Sequence, residues 1–200
     1  MGPQVRSSQP ISTNIVKNTI IHNFFVKKCK SAIANEDPTS KIEALVRDAI
    51  VDPKGLHAAF CARITGKSLR DRIVYNDDEL TVLQVATVPG LRSPVHNHNM
   101  WAVIGVYDGE EHNAFYEQTK DGLKQIGERH LKEGDIAVLK TDTIHAITNP
   151  SERKSNAIHV YGGNLITREG RSMWNPRSQK CEDYEIGQLS EYTKELSGIA

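Results

Sequence analysis

The sequence lacks a net charge and any long apolar run. Lysine plus arginine equals aspartate plus glutamate at 25 each, so bulk electrostatics indicate neither a nucleic-acid partner nor a membrane surface. No apolar run approaches the ~20 residues that span a bilayer, and the first residues lack the apolar core of a secretory signal. We therefore expect a protein that binds neither nucleic acid nor a membrane.

Cysteine is also scarce. The three cysteines, Cys29, Cys61 and Cys181, are odd in number and far apart in the sequence. A disulfide framework is therefore not expected, and a reducing cytoplasm is the default compartment.

The chain of 200 residues is long enough for one domain with a sizeable core. Residues 1–13 are polar with two prolines and predict a disordered tail. Residues 14–66 carry apolar residues at helical spacing, and Asp37-Pro38 and Asp52-Pro53 are typical helix N-termini. This segment predicts helices that pack on residues 67–200, so that both form one functional domain.

Short predicted strands dominate the second segment. Turn dipeptides such as Asp108-Gly109, Asp121-Gly122 and Asn149-Pro150 separate them. The predicted strands are 72–75, 80–86, 100–107, 114–118, 123–131, 135–139, 144–148 and 156–161. Many short strands at even spacing predict a mainly β fold, either a sandwich or a barrel. The sequence is irregular from residue 162 until a final amphipathic helix, about 185–196.

Two histidines alternate near the middle of the chain. On a strand, the imidazoles of His96 and His98 project from the same face, which is a typical part of a metal site. The best third ligand is His145, which follows a glycine turn and an apolar strand and precedes Asn149-Pro150. The remaining histidines are expected on helices or on solvated strands and turns.

The spacing around these histidines resembles the two motifs of the cupin superfamily. The first motif is a glycine, five residues, His-x-His and a later glycine; the second is a glycine, ten residues, a histidine, three residues and an asparagine. The matching residues are Gly90, His96, His98 and Gly109, and then Gly134, His145 and Asn149. The resemblance implies a cupin double-stranded β-helix, or jelly-roll barrel, with an N-terminal α-helical subdomain.

One departure from the cupin pattern bears on the chemistry. Many cupins place a glutamate three or four residues after His-x-His, where this chain has Ala102 and Val103. The nearest acids, Asp108, Glu110 and Glu111, are expected past the strand end. Three neutral imidazoles leave a divalent ion its full charge and open positions, which favours an anionic ligand such as a thiolate. The redox-active ion that suits this chemistry is Fe(II).

Three segments carry a narrower resemblance: the segment from His96 to Tyr107, then His159-Val160-Tyr161, and then Arg171-Ser172-Met173-Trp174. They resemble the cysteine dioxygenase family of thiol dioxygenases, and the bacterial 3-mercaptopropionate dioxygenase branch in particular. The resemblance implies that a small thiol and O2 are the partners. A single Fe(II) on three histidines, with no organic cofactor, would oxidise the thiol to a sulfinic acid with both atoms of O2.

The same resemblance assigns a role to the late-strand pair. It implies that Tyr161 is an acid or hydrogen-bond donor to bound oxygen or substrate, oriented by His159. Animal cysteine dioxygenases carry a cysteine that cross-links to this tyrosine, but residues 101–103 hold none, so an unmodified tyrosine is expected. The family's serine two residues before the histidine is Ala157 here. The hydrogen-bond chain beyond the histidine is therefore expected to be closed by Ser155 or water.

A thiol carboxylate needs a cation, and the planar fork of arginine suits it. Arg72 opens the first predicted strand, where the family places an arginine or a glutamine that touches substrate. It is the first choice for the carboxylate partner. Arg168 and Arg171 follow Tyr161 in a loop, and Arg171 is favoured over Arg168 because it stands beside Met173-Trp174. Trp101 is a further candidate for the cavity wall, with core packing as its alternative.

Two other functions remain open. A three-histidine cupin could be a dioxygenase that cleaves a carbon–carbon bond of a diketone, or a non-catalytic protein that binds a metal or another ligand. The absence of a DNA-binding motif and of a basic patch argues against a regulator. We expect a monomer or a small homo-oligomer.

Overall fold

The computed structural model describes residues 13–66 and 68–198, with side chains from residue 18 onward. Residues 1–12 of the predicted disordered tail lie outside this range, and Thr13 is the first helical residue. Within the described residues the helices are α1 Thr13–Ile33, α2 Pro38–Ile50, α3 Pro53–Cys61 and α4 Ile186–Ser197. The strands are β1 Ile73–Asn76, β2 Thr81–Thr87, β3 His96–Asn97, β4 Ala102–Asp108, β5 Glu110–Thr119, β6 Gly122–Lys132, β7 Ile136–Leu139, β8 Ile144–Thr148, β9 Ser155–Tyr161, β10 Ser172–Trp174 and β11 Cys181–Asp183.

Helices α2 and α3 begin at the two Asp-Pro pairs, as predicted. The side chain of Asp37 accepts a hydrogen bond from the Ser40 backbone N–H at 3.1 Å, and Asp52 accepts one from Gly55 at 3.0 Å. Each aspartate thus satisfies a backbone N–H that has no partner within the helix, and the following proline supplies the first helical residue. None of the helices in the described residues is long and apolar enough to cross a membrane.

Two antiparallel sheets form the barrel. One sheet has the strand order β1-β2-β9-β4-β7, and the other has β11-β10-β3-β8-β5-β6. Strand β9 pairs with both β2 and β4, so neighbours in a sheet come from distant parts of the chain. This strand order is a double-stranded β-helix rather than an up-and-down barrel. The predicted mainly β fold with N-terminal helices is confirmed.

The core has two layers, on opposite faces of the five-stranded sheet. Helical residues such as Val46 and Phe60 pack against one face of β4, represented by Val103. Ile104, the next residue of β4, belongs to the cluster inside the barrel with Leu83. Successive side chains of a strand point to opposite faces, which explains why β4 is apolar throughout and buried on both sides.

The chain after residue 161, expected to be irregular, contains two short strands. In β10, Met173 pairs with His96 of β3, and the Trp174 backbone N–H donates to the Val95 carbonyl at 2.9 Å. A strand of three residues is too short for its alternation to be recognised in a sequence. The C-terminal segment is therefore attached directly to the histidine strand. In the other sheet, the strand expected from Arg72 begins one residue later, after a 3-10 turn.

Candidate metal centre

Strand pairing brings the three histidines together. His96 in β3 lies directly opposite His145 in β8, and residues paired in this way project from the same face of a sheet. His98 follows β3 and reaches the same face. The three residues are buried, and one nitrogen atom from each lies within 4.8 Å of the others. This arrangement can hold one metal ion.

In two of the three histidines, a hydrogen bond at Nδ1 determines that Nε2 is the nitrogen free to bind a metal. His96 Nδ1 donates to the Pro94 carbonyl at 2.9 Å, and His145 Nδ1 donates to Asn113 Oδ1 at 2.9 Å. Each ring therefore keeps the lone pair of Nε2 for a metal. The Nε2 atoms of His98 and His145 lie 3.1 Å apart. A hydrogen bond between the two rings or a metal ion that binds both nitrogens can account for this short distance, and three buried, convergent imidazoles fit a metal ion.

Burial keeps these imidazoles in the form that binds metal. It lowers the pKa of His96 to about 4 and the pKa values of His98 and His145 well below their usual range. The positive charge of Arg171 contributes further to the lowered pKa values of His96 and His98. Neutral rings at pH 7 present lone pairs without first releasing a proton.

Tyr161 lies beside the histidines at the end of β9. Its ring centroid is 4.8 Å from that of His98, and its hydroxyl oxygen is 3.1 Å from His159 Nδ1. Both residues of the predicted pair are buried. Burial raises the pKa of the Tyr161 phenol well above its usual value, so the hydroxyl keeps its proton. The geometry expected for the pair is present, and its catalytic role remains a prediction.

A buried glutamate that the sequence analysis placed outside the site completes this chain. Glu111 belongs to β5, is 2% exposed, and accepts from His159 Nε2 at 3.2 Å. Burial opposes its ionisation, but the electrostatic interaction with the adjacent His159 and the hydrogen bonds from His159 and Asn113 leave the Glu111 pKa below its usual value. The expectation that Ser155 or water closes the chain is wrong for Ser155, whose hydroxyl donates to the Asp108 carbonyl at 3.1 Å.

The misplacement of Glu111 has a simple origin. The predicted strand began at Ala114, whereas β5 begins at Glu110 and its first residues alternate between half-buried and buried. The alternation of Glu111 and Asn113 was the available signal, but polar residues at buried positions do not produce the apolar pattern that predicts a strand. The histidine group itself includes no carboxylate, which agrees with the predicted ligand set.

The histidines open onto a cavity of about 180 Å³ inside the barrel. The three histidines, His159 and Tyr161 lie on its wall, and much of the remaining wall is apolar. The apolar residues include Leu83, Val85, Leu91, Ile147, Leu165, Ile186 and Leu189. The last two belong to α4, so the C-terminal helix forms part of the wall.

No family model matches the sequence. Among solved structures, an uncharacterised protein with a double-stranded β-helix domain from Klebsiella pneumoniae is similar at 24% identity and a TM-score of 0.38, covering 50% of this chain and 79% of that one. A cupin family protein from Methanocaldococcus jannaschii has 15% identity and a TM-score of 0.41, with coverages of 48% and 80%. Oxalate decarboxylase from Bacillus subtilis has 14% identity and a TM-score of 0.40, with coverages of 48% and 24%.

The chain's own strand order and inward-facing histidines decide the fold. The chain has the cupin fold. Likeness at these identities bears on architecture alone, so the assignment of an activity depends on the residues of the site.

Two of the predicted substrate-binding arginines differ in their position relative to the cavity. Arg72 lines it, and its Nη1 donates to Gln84 Oε1 at 2.7 Å. Arg171 is 7% exposed and lies against Tyr184, with its guanidinium carbon 4.2 Å from the ring centroid. Its Nε donates to the Arg168 carbonyl at 2.9 Å, but its buried Nη1 has no hydrogen-bond partner among the described residues. Arg171 lines the adjoining groove, which shares Tyr184 with the cavity.

The other two predicted contacts, Arg168 and Trp101, do not line the cavity. The Arg168 side chain is exposed in the adjoining groove. Trp101 packs against the helix-side core, where a Cβ on Gly162 would come within 2.0 Å of its ring. The cavity-wall role of Trp101 is therefore wrong, and its core alternative is correct. Tyr184, which the sequence analysis missed, lines the cavity instead; its position in an irregular segment provided no signal.

Proposed function

We propose that this cupin is an Fe(II)-dependent thiol dioxygenase that oxidises a small thiol carboxylate, of the 3-mercaptopropionate or cysteine type, to its sulfinic acid. The observation that carries the proposal is a donor set of three neutral imidazoles with Tyr161 packed beside it. A divalent ion on neutral ligands keeps its charge and favours a thiolate.

The reaction is RSH + O2 → RSO2H, in which the sulfur atom is oxidised and both oxygen atoms are transferred to it. An Fe(II) ion held by His96, His98 and His145 would supply adjacent coordination positions for the thiolate and O2. The reaction needs no further reductant and no organic cofactor. The protein's contribution is to place the two reactants side by side.

Tyr161 is the proposed acid or hydrogen-bond donor. Its hydroxyl hydrogen can point to His159 or, by rotation about the C–O bond, to a ligand in the cavity. Because burial raises the pKa of Tyr161, the proton is available for donation at neutral pH. The interaction with His159 Nδ1 keeps the phenol oxygen at the edge of the histidine group.

The carboxylate of the substrate requires a cation at the cavity. Arg171 has a buried Nη1 without a partner among the described residues, and an unpaired buried donor is costly. A substrate carboxylate would satisfy it, with Arg72 at the cavity wall as the second candidate. The apolar wall and α4 would exclude water from the reacting sulfur.

The test is the iron content of the purified protein together with steady-state O2 consumption over a thiol panel. The panel contains cysteine, 3-mercaptopropionate, cysteamine and mercaptosuccinate. Uptake is expected with thiol carboxylates and should be lost in His98→Gln. The matched control is His130→Gln, because His130 lies on the barrel exterior and pairs with Glu110.

The same assay separates the competing functions. Absence of thiol-dependent uptake by iron-loaded protein contradicts the proposal. Turnover of a β-diketone in its place would identify a dioxygenase that cleaves carbon–carbon bonds. Bound metal without turnover of either class would identify a non-catalytic binding protein.

A further inference from the structure

Glu111 is a buried carboxylate to which the proposed reaction assigns no role. Each of its oxygens accepts one hydrogen bond: Oε1 from Asn113 Nδ2 at 2.9 Å, and Oε2 from His159 Nε2 at 3.2 Å. Asn113 in turn contacts His145, and His159 contacts Tyr161. Glu111 therefore stands between a candidate metal ligand and the candidate acid.

We propose that Glu111 is a positioning residue that sets the donor and acceptor direction of two hydrogen-bonded arms, one ending at His145 and the other at Tyr161. An ionised carboxylate can only accept hydrogen bonds. Asn113 and His159 must therefore both present N–H groups to Glu111. The orientation of each neighbour then determines whether it is a donor or an acceptor toward the next residue of its arm.

The first arm determines which nitrogen of His145 is free. Because the Asn113 amide turns its NH2 group toward Glu111, its carbonyl oxygen faces His145. That oxygen can only accept, so His145 must carry its proton on Nδ1. Nε2 is then without a proton and directs its lone pair at the histidine group. The reverse orientation of Asn113 would place the proton on Nε2 and block the lone pair.

The second arm determines which nitrogen of His159 faces Tyr161. Glu111 requires a proton on His159 Nε2, so Nδ1 is the atom opposite the Tyr161 hydroxyl. In the neutral ring Nδ1 is an acceptor. The Tyr161 hydroxyl can then donate its hydrogen bond either to His159 or to a ligand in the cavity. Glu111 acts here through His159 and does not touch the substrate. The inference thus rests on the proposed metal site and on the proposed role of Tyr161.

The test is a direct measurement of histidine tautomers. Full-length protein labelled with 15N-histidine is studied by long-range proton–nitrogen NMR, metal-free and with Zn(II) as a diamagnetic probe. Signals of His145 and His159 are assigned by their loss in His145→Gln and His159→Gln. The wild type should show Nδ1–H on His145 and Nε2–H on His159. The opposite tautomer at either residue would overturn the proposal, even if no Glu111 variant folds.

Glu111→Gln makes the test specific because it preserves the shape. The glutamine NH2 group must face either the NH2 group of Asn113 or the N–H of His159, so at least one arm has to reverse. A changed tautomer at His145 or His159 is therefore expected. If the His145 arm reverses, Zn(II) affinity should fall about 10- to 100-fold, as is typical for the loss of a ligand's outer hydrogen-bond partner.

The matched control is Glu110→Gln, the same substitution at the neighbouring residue, whose carboxylate contacts His130 instead. It should change neither tautomer nor the Zn(II) affinity. Retention of both wild-type tautomers in folded Glu111→Gln, or an equal change in the control, would refute the role of Glu111. Neither readout involves thiol oxidation, so a failure of the proposed enzymatic activity would be seen separately in the O2 assay.

Discussion

At the scale of single residues, the Arg171 side chain has an incomplete set of hydrogen-bond partners. Its guanidinium stacks on Tyr184 and donates through Nε, while Nη1 is buried without a partner among the described residues. Burial lowers its pKa from the usual value, which reflects the cost of desolvating a cation. An anionic ligand would offset that cost.

Replacement of this arginine should therefore act on substrate binding. In Arg171→Met, the KM for 3-mercaptopropionate is expected to rise about 10- to 150-fold, because hydrogen bonds to charged groups contribute about 1.5–3 kcal/mol. The value of kcat should change much less. The measurement is O2 consumption against substrate concentration, with cysteamine, which has no carboxylate, as the reference substrate.

Arg168→Met is the matched control, because the Arg168 side chain is exposed in the adjoining groove. It should leave the KM unchanged. An equal loss with cysteamine in Arg171→Met would show general damage to the site. An unchanged KM for the carboxylate substrate would leave Arg72 as the carboxylate partner.

Single residues also show how far the site could be predicted. His96 and His98 were found because metal-binding side chains at a strand's spacing are a local pattern, and His145 because its spacing from Gly134 and Asn149 resembles the second cupin motif. Glu111 was missed because its importance depends on its burial and on a partner 48 residues away. Such a partner is defined by strand pairing, which the local sequence does not reveal.

At the scale of elements, a glycine allows α2 to approach β4 closely. A Cβ on Gly105 would lie 2.4 Å from Val46 Cγ1 and 3.3 Å from Ile50 Cγ2. Both side chains belong to the buried face of α2 and to the core between the helices and the sheet. The absence of a side chain at this position is thus part of how the helical layer packs on the barrel.

Gly105→Ala should destabilise the protein by about 1–3 kcal/mol, as is typical when a methyl group is forced into a packed core. The measurement is equilibrium unfolding by urea. Gly127→Ala, on exposed β6 with no atom within 4 Å of the added Cβ, serves as the control and should stay within about 0.5 kcal/mol of the wild type. Equal stability of the two variants would mean that α2 is not packed against β4 as described.

Among the elements, the helix starts were easier to predict than the C-terminal strands. The Asp-Pro pairs before α2 and α3 act through hydrogen bonds within a few residues. In contrast, β10 exists because β3 offers an unpaired edge to it, and only the assembled barrel creates that edge. The pairing of β10 with β3 also places Tyr184 at the cavity, because the Tyr184 backbone N–H donates to the Arg171 carbonyl, just before β10, at 3.1 Å.

At the scale of the whole molecule, the metal centre joins distant parts of the chain. His98 and His145 are 47 residues apart in sequence, and their approach requires the sheet that contains β3 and β8. The unfolded chain does not preserve this arrangement. A metal that binds only the folded state therefore stabilises the entire fold.

Saturating Fe(II) or Zn(II) should raise the melting temperature. At a free metal concentration about 100 times the Kd, the gain is about 2.7 kcal/mol, or roughly 5–10 °C for a chain of this size. The measurement is thermal unfolding of metal-loaded and chelator-treated protein. The shift should vanish in His145→Gln and persist in His112→Gln, because His112 of β5 is half-buried and contacts Glu128 instead of the histidine group. An equal shift in both variants would place the metal elsewhere.

The sequence by itself determined where helices begin, which segments are strands and which histidines can bind a metal. Helix starts, strand alternation and the His-x-His pair are set by neighbours within a few residues, so they can be recognised without a fold. Only the tertiary structure decided that Glu111 lies behind His159, that Trp101 belongs to the helix-side core and that Tyr184 lines the cavity. These positions depend on which strands pair and on what is buried, and such long-range contacts form only when the whole barrel closes.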